Sequence, residues 1–318
     1  MRNNIFIGLG LAVTLLTIGC KKDDDSTSQP SLTGLSITQA TLYVAKGTEI
    51  TFKANASSIK ASDNTDPGTL GIYWQVNTAQ RDTLSQDITK SNPAFVYKAD
   101  TLGTYIVYGY VYAVGGGYYN SSASSTFYAI DPETSLTGIN QDKTETVDGK
   151  TYPVTTVGGK TWMARNLYGT AEGTAYLGCE VMDSVFGRYY SWEEAQTACP
   201  DGWHLPSAQE FDASLGTAAG ALMAPDAQFQ AKKLWAYWPE VNATNSSAFN
   251  AIPTGYKDRN DSQNTHSGYT EYACWWTSSE EEDGRMGAFR YIYEKDAAIH
   301  PGKGDKKTLS LSVRCVKD

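Results

Sequence analysis

The 318-residue chain has few of the side chains on which catalysis and metal binding depend. It contains three histidines and five cysteines, and 19% of its residues are charged. No two cysteines have the Cys-x-x-Cys spacing of a zinc or redox site, and no Gly-x-Ser-x-Gly, EF-hand or phosphate-binding glycine loop is present. We therefore expect no metal site, no cofactor, no catalytic residue and no enzymatic activity.

Positive charge is also scarce. Lysine and arginine together number 26 against 35 acidic residues, which gives a net charge of −9. Such a diffuse acidic balance disfavours nucleic acid and anionic lipid surfaces as partners. Tyrosine (21) and tryptophan (8) are plentiful instead. This composition is typical of β-rich exported domains with half-buried sheet faces.

Long apolar runs are missing except at the start of the chain. Residues 5–18 are almost purely apolar, and about 20 such residues are needed to span a bilayer. Gly19-Cys20 follows, and then Lys-Lys-Asp-Asp-Asp. This order resembles a bacterial lipobox followed by the acidic export signal of Bacteroidota surface lipoproteins. The resemblance implies a signal peptide over 1–19, lipidation of Cys20, and an outer-membrane lipoprotein anchored by its lipid and exposed at the cell surface.

The pattern along the chain predicts two domains. Residues 20–33 are polar and are predicted to form a disordered tether. Residues 34–131 contain short alternating runs separated by turn residues, which predict an all-β sandwich. Trp74 on a middle run and Tyr105 after Gly103 resemble the core tryptophan and tyrosine corner of Ig-like and PKD modules. Residues 132–145 are predicted to be a linker, and 146–318 an α+β domain.

Two helices are predicted in the second domain. Ser191 and Glu194 have capping-box spacing at the start of the first helix, and Ser207 and Glu210 have it at the second. Gly216 provides the stop signal of the second helix.

Five sequence blocks in residues 150–318 then point to a family. They are "VGGKTWMARNL", "YYSWEEAQTACPDGWHLPSAQEF", "SSAFNAIPTGY", "CWWTSSE" and "LSVRCVKD". This succession resembles the FISUMP family of bacterial surface lipoproteins, which is named for its abundance in a Fibrobacter species. The family is thought to be similar to C-type-lectin-like and sulfatase-modifying-factor folds. The resemblance implies an α+β domain tied by disulfides, and it supplies no established activity.

The cysteines other than Cys20 form an even set in an oxidising compartment, and three connectivities are open. The resemblance to lectin-like folds implies a long bridge between Cys199 and Cys315. Cys179 and Cys274 would then form the second bridge.

The candidate ligand-binding residues are aromatic. Trp235, Tyr237 and Trp238 lie close together in a variable-looking loop, and Tyr118 and Tyr119 lie at the tip of the last hairpin of the first domain. Exposed rings of this kind stack on sugars or form antibody-like contacts.

Other conspicuous residues are expected to be structural. Trp162 and Trp276 belong to the family blocks and are assigned to the core. His204 is expected to be a buried histidine satisfied by a hydrogen bond. The acidic run 280–283 is expected to be a solvated turn, with a calcium site as the alternative.

We therefore expect a non-catalytic surface lipoprotein that binds glycan or protein through its second domain. The rival expectation is a structural subunit of an envelope or fimbria-like assembly. A weaker rival is an enzyme of the sulfatase-modifying-factor type, which would need a reactive cysteine.

Overall fold

A computed structural model of the chain describes residues 28–84, 88, 93–235, 241–258, 266–281, 284–296 and 298–318. The chain forms two compact units, Met1–Ile130 and Asp131–Asp318. Most of its regular structure is β. Among the described residues, no helix is both long and apolar enough to cross a membrane. The predicted signal peptide and Cys20 lie outside the described residues.

The first unit is all-β within its described residues. Its strands are β1 Leu32–Thr33, β2 Ser36–Gln39, β3 Tyr43–Ala45, β4 Glu49–Asn55, β5 Lys60–Ala61, β6 Leu70–Val76, β7 Ala79–Leu84, β8 Ala94–Lys98, β9 Gly103–Ala113 and β10 Ser121–Ile130. The larger sheet has the order β3-β10-β9-β6-β7, the second has the order β2-β4-β8, and β1 pairs with β5. Except for β3 beside β10, the pairings are antiparallel.

The two larger sheets share one core. Residues alternate between buried and exposed along β4 and β9, so each strand gives one face to the interior. Trp74 of the larger sheet stacks on Phe95 of the second sheet at 5.4 Å between ring centroids, and Phe127 packs on Phe52 at 5.6 Å. The all-β architecture expected for this unit is confirmed; its finer assignment to PKD or Ig-like modules stays a prediction.

Tyr105 has the geometry of a tyrosine corner. Its ring is buried, and its hydroxyl donates a hydrogen bond to the backbone carbonyl of Thr101 at 2.9 Å. The hydroxyl of Thr101 lies 2.6 Å away. The bond holds the turn that precedes β9.

The first unit begins earlier than its predicted boundary at residue 34. Leu32 is 3% exposed, its strand β1 pairs with β5, and Ser31 forms a bridge with Tyr119. The end of the predicted tether is therefore part of the folded unit, because Leu32 fills the core between polar neighbours. A polar composition alone could not reveal this.

The second unit contains three short α-helices and several small sheets in its described residues. The strands are β11 Leu136–Thr137, β12 Thr144–Val147, β13 Lys150–Val157, β14 Lys160–Met163, β15 Trp203–His204, β16 Gln228–Phe229, β17 Lys232–Lys233, β18 Tyr256–Asp258, β19 His266–Ser267, β20 Tyr272–Glu280, β21 Met286–Tyr293, β22 Ile299–Asp305, β23 Leu309–Ser310 and β24 Val316–Lys317. The helices are α1 Asp183–Phe186, α2 Trp192–Ala198 and α3 Ala208–Leu215, with 3-10 turns at Tyr176–Gly178 and Glu180–Met182.

Two sheets organise the second unit. One has the order β12-β13-β14-β24-β15, and the other is the antiparallel ladder β20-β21-β22. Two smaller sheets have the orders β11-β16-β17 and β19-β18-β23. Trp162 and Trp276 are fully buried, as expected. Trp162 packs edge-on against Phe211 and Phe249, at 5.5 and 5.9 Å.

The predicted linker over 132–145 belongs to the second unit. Leu136 is buried, and β11 pairs with β16. The backbone N–H of Asn140 donates to the buried Asn250 side chain at 2.8 Å, and β12 pairs with β13. The prediction of a linker is therefore wrong, because short polar strands fold here through backbone hydrogen bonds that composition does not show.

Both predicted helices form. Ser191 and Glu194 make the two reciprocal bonds of a capping box at α2. At α3 the Ser207 hydroxyl accepts from the N–H of Glu210 at 3.1 Å, and the helix ends at Gly216 with φ of 70°. The Glu210 carboxylate does not complete a box, because it contacts His204 and Lys160 instead.

One predicted disulfide is present. Cys199 at the end of α2 is bonded to Cys315, next to β24, which confirms that pair. Cys179 and Cys274 are not bridged to each other; both are buried thiols. The sulfur of Cys179 lies 3.6 Å from the carbonyl of Leu177, whereas Cys274 packs in the core beside Trp276. The prediction of a second bridge is therefore wrong. The even number of cysteines suggested a bond, but both remaining cysteines are buried as thiols in the core.

Candidate ligand-binding site

An open groove lies on the second unit, where α3 faces the β20-β21-β22 sheet. Its volume is about 380 Å³, and it is lined by Ala208, Ser279, Glu280, Glu281, Ala288, Arg290, Pro301, Gly302 and Lys303. Its lining combines small and apolar residues with charged side chains. A concave surface with a few convergent polar groups is the usual form of a small-ligand site.

The groove is built by fixed polar contacts. Arg290 of β21 is 8% exposed and forms a bidentate pair with Asp212 of α3, at 2.7 and 2.6 Å. The Ser279 hydroxyl accepts a hydrogen bond from the backbone N–H of Ala208 at 2.9 Å. These two contacts fix the first residue and the middle of the helix against the sheet. The walls of the groove are therefore held in place before any ligand binds.

The charges around the groove balance. Glu280 pairs with Lys306, whose ammonium group also lies 4.1 Å from the ring centre of Trp192. Arg290 is neutralised by Asp212. Within the described residues, Glu281 and exposed Lys303 form no ion pair, and they contribute one charge of each sign. The site thus offers hydrogen-bond donors and acceptors without a net charge, which suits an uncharged, hydroxyl-rich ligand.

A buried cation lies in the core of the same unit. Arg314 is fully buried, and its guanidinium donates to the side chain of Asn166 at 2.8 Å and to three backbone carbonyls. These carbonyls belong to Met163 at 3.2 Å, Phe249 at 2.5 Å and Asn250 at 2.9 Å. Burial lowers the pKa of Arg314 to about 9, with a smaller contribution from Arg165. The group connects the final segment of the chain to two others, residues 163–166 and 249–250, and has a structural role.

The three histidines lie apart from one another. His204 is 39% exposed at its side chain, and it contacts Asp318 at 2.6 Å and Glu210 at 2.9 Å. Partial burial alone would lower the pKa of His204, but these two hydrogen bonds outweigh it and raise the pKa. The expected hydrogen bond is therefore present, whereas full burial is wrong, because β15 leaves His204 on its accessible side.

His266 and His300 also have local partners. His266 accepts from the N–H of Leu177 at 3.3 Å, and burial, aided by Lys257, lowers its pKa to about 4. His300 contacts Asp296 at 2.9 Å. Neither faces a hydroxyl or thiol nucleophile in these contacts. Among the described residues, no group of three or more His, Cys, Asp and Glu side chains could hold a metal ion.

The predicted aromatic site does not form as expected. Trp235 is 5% exposed, and its indole N–H donates to the carbonyl of Ala251 at 2.9 Å. The prediction for Trp235 is therefore wrong: the ring fills the core beside Ala251. Tyr237 and Trp238 lie outside the described residues.

The two tyrosines at the hairpin tip differ: Tyr118 has a structural role, and Tyr119 is exposed. The Tyr118 hydroxyl is 2.8 Å from the Thr65 hydroxyl and donates to the Asp66 carbonyl at 3.1 Å, so this half-buried ring ties two loops together. Tyr119 is 58% exposed. The structure thus leaves Tyr119 as the accessible member of this pair.

Sequence reasoning missed the groove because its residues come from four separate segments. Ala208, Ser279, Arg290 and Lys303 meet only after α3 packs on the sheet. One signal was present in the sequence. The acidic run after "CWWTSS" places Glu280 and Glu281 at the end of a strand, and this end forms one wall of the groove.

Comparison with known proteins identifies the family. The model of the Fibrobacter succinogenes major domain (Fib_succ_major) matches residues 155–317, which is just over half of the chain. The chain belongs to this family. The FISUMP resemblance is thereby confirmed, and the groove and the Cys199–Cys315 bridge lie within the matched region.

Other comparisons add little. No curated protein matches the chain. Yersinia pseudotuberculosis adhesin InvE is 10% identical, with 91% of this chain and 70% of that chain covered and a TM-score of 0.25. A CARDB domain from Pyrococcus furiosus is 12% identical over 32% of this chain and 95% of its own, also with a TM-score of 0.25. At these TM-scores the similarities support no functional conclusion.

Proposed function

We propose that the protein is a non-catalytic surface lipoprotein that binds a glycan in the groove between α3 and the β20-β21-β22 sheet. The groove itself carries the proposal. Its lining includes Glu281 and Lys303 as acceptor and donor together with small and apolar residues, and its charges balance. Sugars offer the matching chemistry, namely many hydroxyls beside apolar C–H faces.

The anchoring half of the proposal rests on the sequence. The short apolar run ending at Gly19-Cys20 and the acidic segment after it resemble the export signals of surface lipoproteins. Membership of the Fibrobacter succinogenes major domain family fits this interpretation. A lectin-like fold for the second unit and an Ig-like spacer for the first remain parts of the proposal.

The contacts of the candidate nucleophiles support a non-catalytic role. Cys199 and Cys315 are bridged, and burial raises the pKa of the Cys274 thiol. A thiol with a raised pKa is a poor nucleophile, because the thiolate is the reactive form. In the chain that lacks residues 1–19 and carries Cys20→Ser, a thiol reagent should thus react slowly in the folded state and rapidly after denaturation. A fast-reacting thiol in the folded state would instead favour the sulfatase-modifying-factor type of enzyme.

The binding experiment is a thermal-shift screen against a panel of soluble oligosaccharides. It uses the chain without residues 1–19 and with Cys20→Ser, in calcium and in chelator. A ligand at about 100 times its Kd stabilises a protein by about 2.7 kcal/mol, a shift of several degrees. We expect one sugar class to raise Tm. Calcium dependence would implicate the acidic run as an ion site.

Variants then locate the binding. Glu281→Gln and Lys303→Gln remove the two balancing charges of the groove and should reduce the sugar-dependent shift. Lys232→Gln, at an exposed position of β17, is the matched control and should leave it unchanged. If no sugar shifts Tm and the purified chain self-associates, the structural-subunit function replaces this proposal.

A further inference from the structure

The outer face of the larger sheet in the first unit carries six tyrosines. Along β9, Val107 and Val111 point into the core, so Tyr108, Tyr110 and Tyr112 point outward. Pairing places Tyr73 of β6 opposite Tyr110. Towards the other edge of the same face, Tyr128 of β10 lies opposite Tyr43 of β3. Their sequence neighbours Phe127 and Val44 are buried, so the two tyrosines point outward. We name these six residues the tyrosine face: Tyr43, Tyr73, Tyr108, Tyr110, Tyr112 and Tyr128.

The rings of this face hold one another in place. Tyr73 and Tyr110 stack at 4.7 Å between centroids with 11° between their planes. Tyr108 lies 6.1 Å from Tyr110, and Tyr112 lies 6.3 Å from Tyr73. Each of these rings remains half-exposed. Mutual contact reduces the rotamer freedom that a ligand would otherwise have to freeze, so the face is preorganised.

The tyrosine face carries no charge. Its other outward positions on the described parts of β6, β9 and β10 are also neutral: Gln75, Thr104, Ile106, Ser122, Ser124 and Thr126. Partial burial, and then the neighbouring Tyr73 and Tyr108, raise the pKa of Tyr110, so its phenol stays protonated. The exposed side of the opposite sheet, in contrast, presents Glu49, Lys53 and Lys98. The neutral surface is thus a property of one face rather than of the unit.

We propose that the tyrosine face binds a neutral polysaccharide chain lying across the sheet. Charge complementarity selects this occupant: a surface with no charge in an acidic protein gives no attraction to an anionic or a cationic polymer. Hydroxyl and amide groups lie between the rings. Ala45 and Ile106 are the aliphatic side chains among the described outward positions of β3, β6, β9 and β10, so the face lacks the aliphatic bulk of a membrane-binding surface. Four adjacent strands carry it, which makes it about 14 Å wide.

This site is separate from the groove proposed above, because it lies in the other unit. Polysaccharide binding here would stand even if the groove bound nothing. The two proposals can therefore fail independently, provided that the experiment tests variants of each unit in the full chain.

The experiment is affinity electrophoresis of the chain lacking residues 1–19, with Cys20→Ser. The gels contain a soluble mixed-linkage β-glucan, a galactomannan or, as the anionic comparison, polygalacturonate. We expect at least one neutral polymer to retard the protein and polygalacturonate to leave its mobility unchanged. Tyr108→Ser combined with Tyr110→Ser should weaken the retardation at least tenfold. Val96→Ser, which removes an exposed apolar side chain from the opposite sheet, should not.

A milder pair keeps the test informative if the serine variant does not fold. Tyr73→Phe and Tyr110→Phe retain the stacked rings and remove the hydroxyls, and a severalfold loss is expected from hydrogen bonding alone. The proposal is overturned if neither neutral polymer retards the wild type, or if the tyrosine variants are retarded as strongly as the wild type. It is also overturned if these variants abolish self-association in the absence of polymer, because the occupant would then be a second copy of the chain.

Discussion

At the residue scale, Arg314 is a buried cation whose described polar contacts are an amide and three backbone carbonyls. Its ring contacts are with Phe249 at 4.5 Å and Trp275 at 5.7 Å. We expect Arg314→Ala to destabilise the second unit by about 3–5 kcal/mol, because it opens a cavity and leaves buried carbonyls unsatisfied. Arg314→Lys should also destabilise, since an ammonium group cannot reproduce the planar fork.

Urea unfolding monitored by tryptophan fluorescence measures this loss. Lys232→Met, which removes an exposed cation from the same unit, should change the free energy of unfolding by less than about 0.5 kcal/mol. Equal effects of the two substitutions would show that burial of Arg314 has no energetic importance.

His204 gives a second prediction at this scale, through pH. Its pKa is raised from 6.5, so its contribution to stability is fully present below about pH 6.5 and is lost as pH rises through the higher folded value. Burial would raise the pKa of Glu210, but its bonds to His204 and Lys160 lower it from 4.5. The contribution of Glu210 is therefore present above about pH 4.5 and is lost as pH falls through the lower folded value.

Comparison of the urea midpoint at pH 6 and pH 8.5 tests this coupling. Because the buried His266 has a lowered pKa, its contribution to stability has the opposite pH dependence, so the two proteins are compared with each other. The loss of midpoint caused by His204→Gln should be larger at pH 6 than at pH 8.5. Identical pH profiles for the two proteins would mean that the contacts with Glu210 and Asp318 do not stabilise the fold.

At the scale of the element, features set by neighbouring residues could be predicted from the sequence, whereas features set by contacts between distant segments could not. Both helices formed because Ser191 and Ser207 cap backbone N–H groups within three residues, a relation that is visible in the sequence. The fate of Trp235 was not visible, since its hydrogen bond to Ala251 depends on how a long loop folds over the core. The tyrosine face has a clear pattern, in which Tyr108, Tyr110 and Tyr112 alternate with buried residues. Its extent depends on the pairing of β9 with β6, which one strand alone does not specify.

The Cys199–Cys315 bridge joins the end of α2 to the final strand across 116 residues. In the chain-entropy model, a loop of this length contributes about 4–5 kcal/mol. The Cys199→Ser, Cys315→Ser double variant should lose about this much free energy of unfolding, measured in urea.

Reductant provides the matched control for the bridge. Dithiothreitol should destabilise the wild type to the level of the double variant and leave the double variant unaffected, because Cys179 and Cys274 are already thiols. A further loss in the double variant would indicate a second bridge.

At the scale of the whole molecule, lipidation is the property that the sequence predicts most directly and that lies outside the described residues. Cys20→Ser should abolish incorporation of a labelled fatty acid and release the protein from the membrane fraction of the cells that make it. Proteinase added to intact cells should digest the wild-type protein. If the protein were lipidated but protected from proteinase, the prediction of surface exposure would be wrong and the prediction of a lipid anchor would still hold.

Because Leu32–Thr33 pairs with Lys60–Ala61, the segment between Cys20 and the first unit is short, and this limits how far the unit can lie from a lipid anchor. If Cys20 holds the lipid, ten peptide steps separate it from Pro30, whose carbonyl accepts a hydrogen bond from the N–H of Tyr119, and ten fully extended steps span at most about 36 Å. A spacer extending to residue 33 would have allowed about a third more than that distance. The point at which the first unit begins then lies within this distance of the bilayer, so the lipid would hold a polymer-binding unit near the membrane rather than far out in the medium.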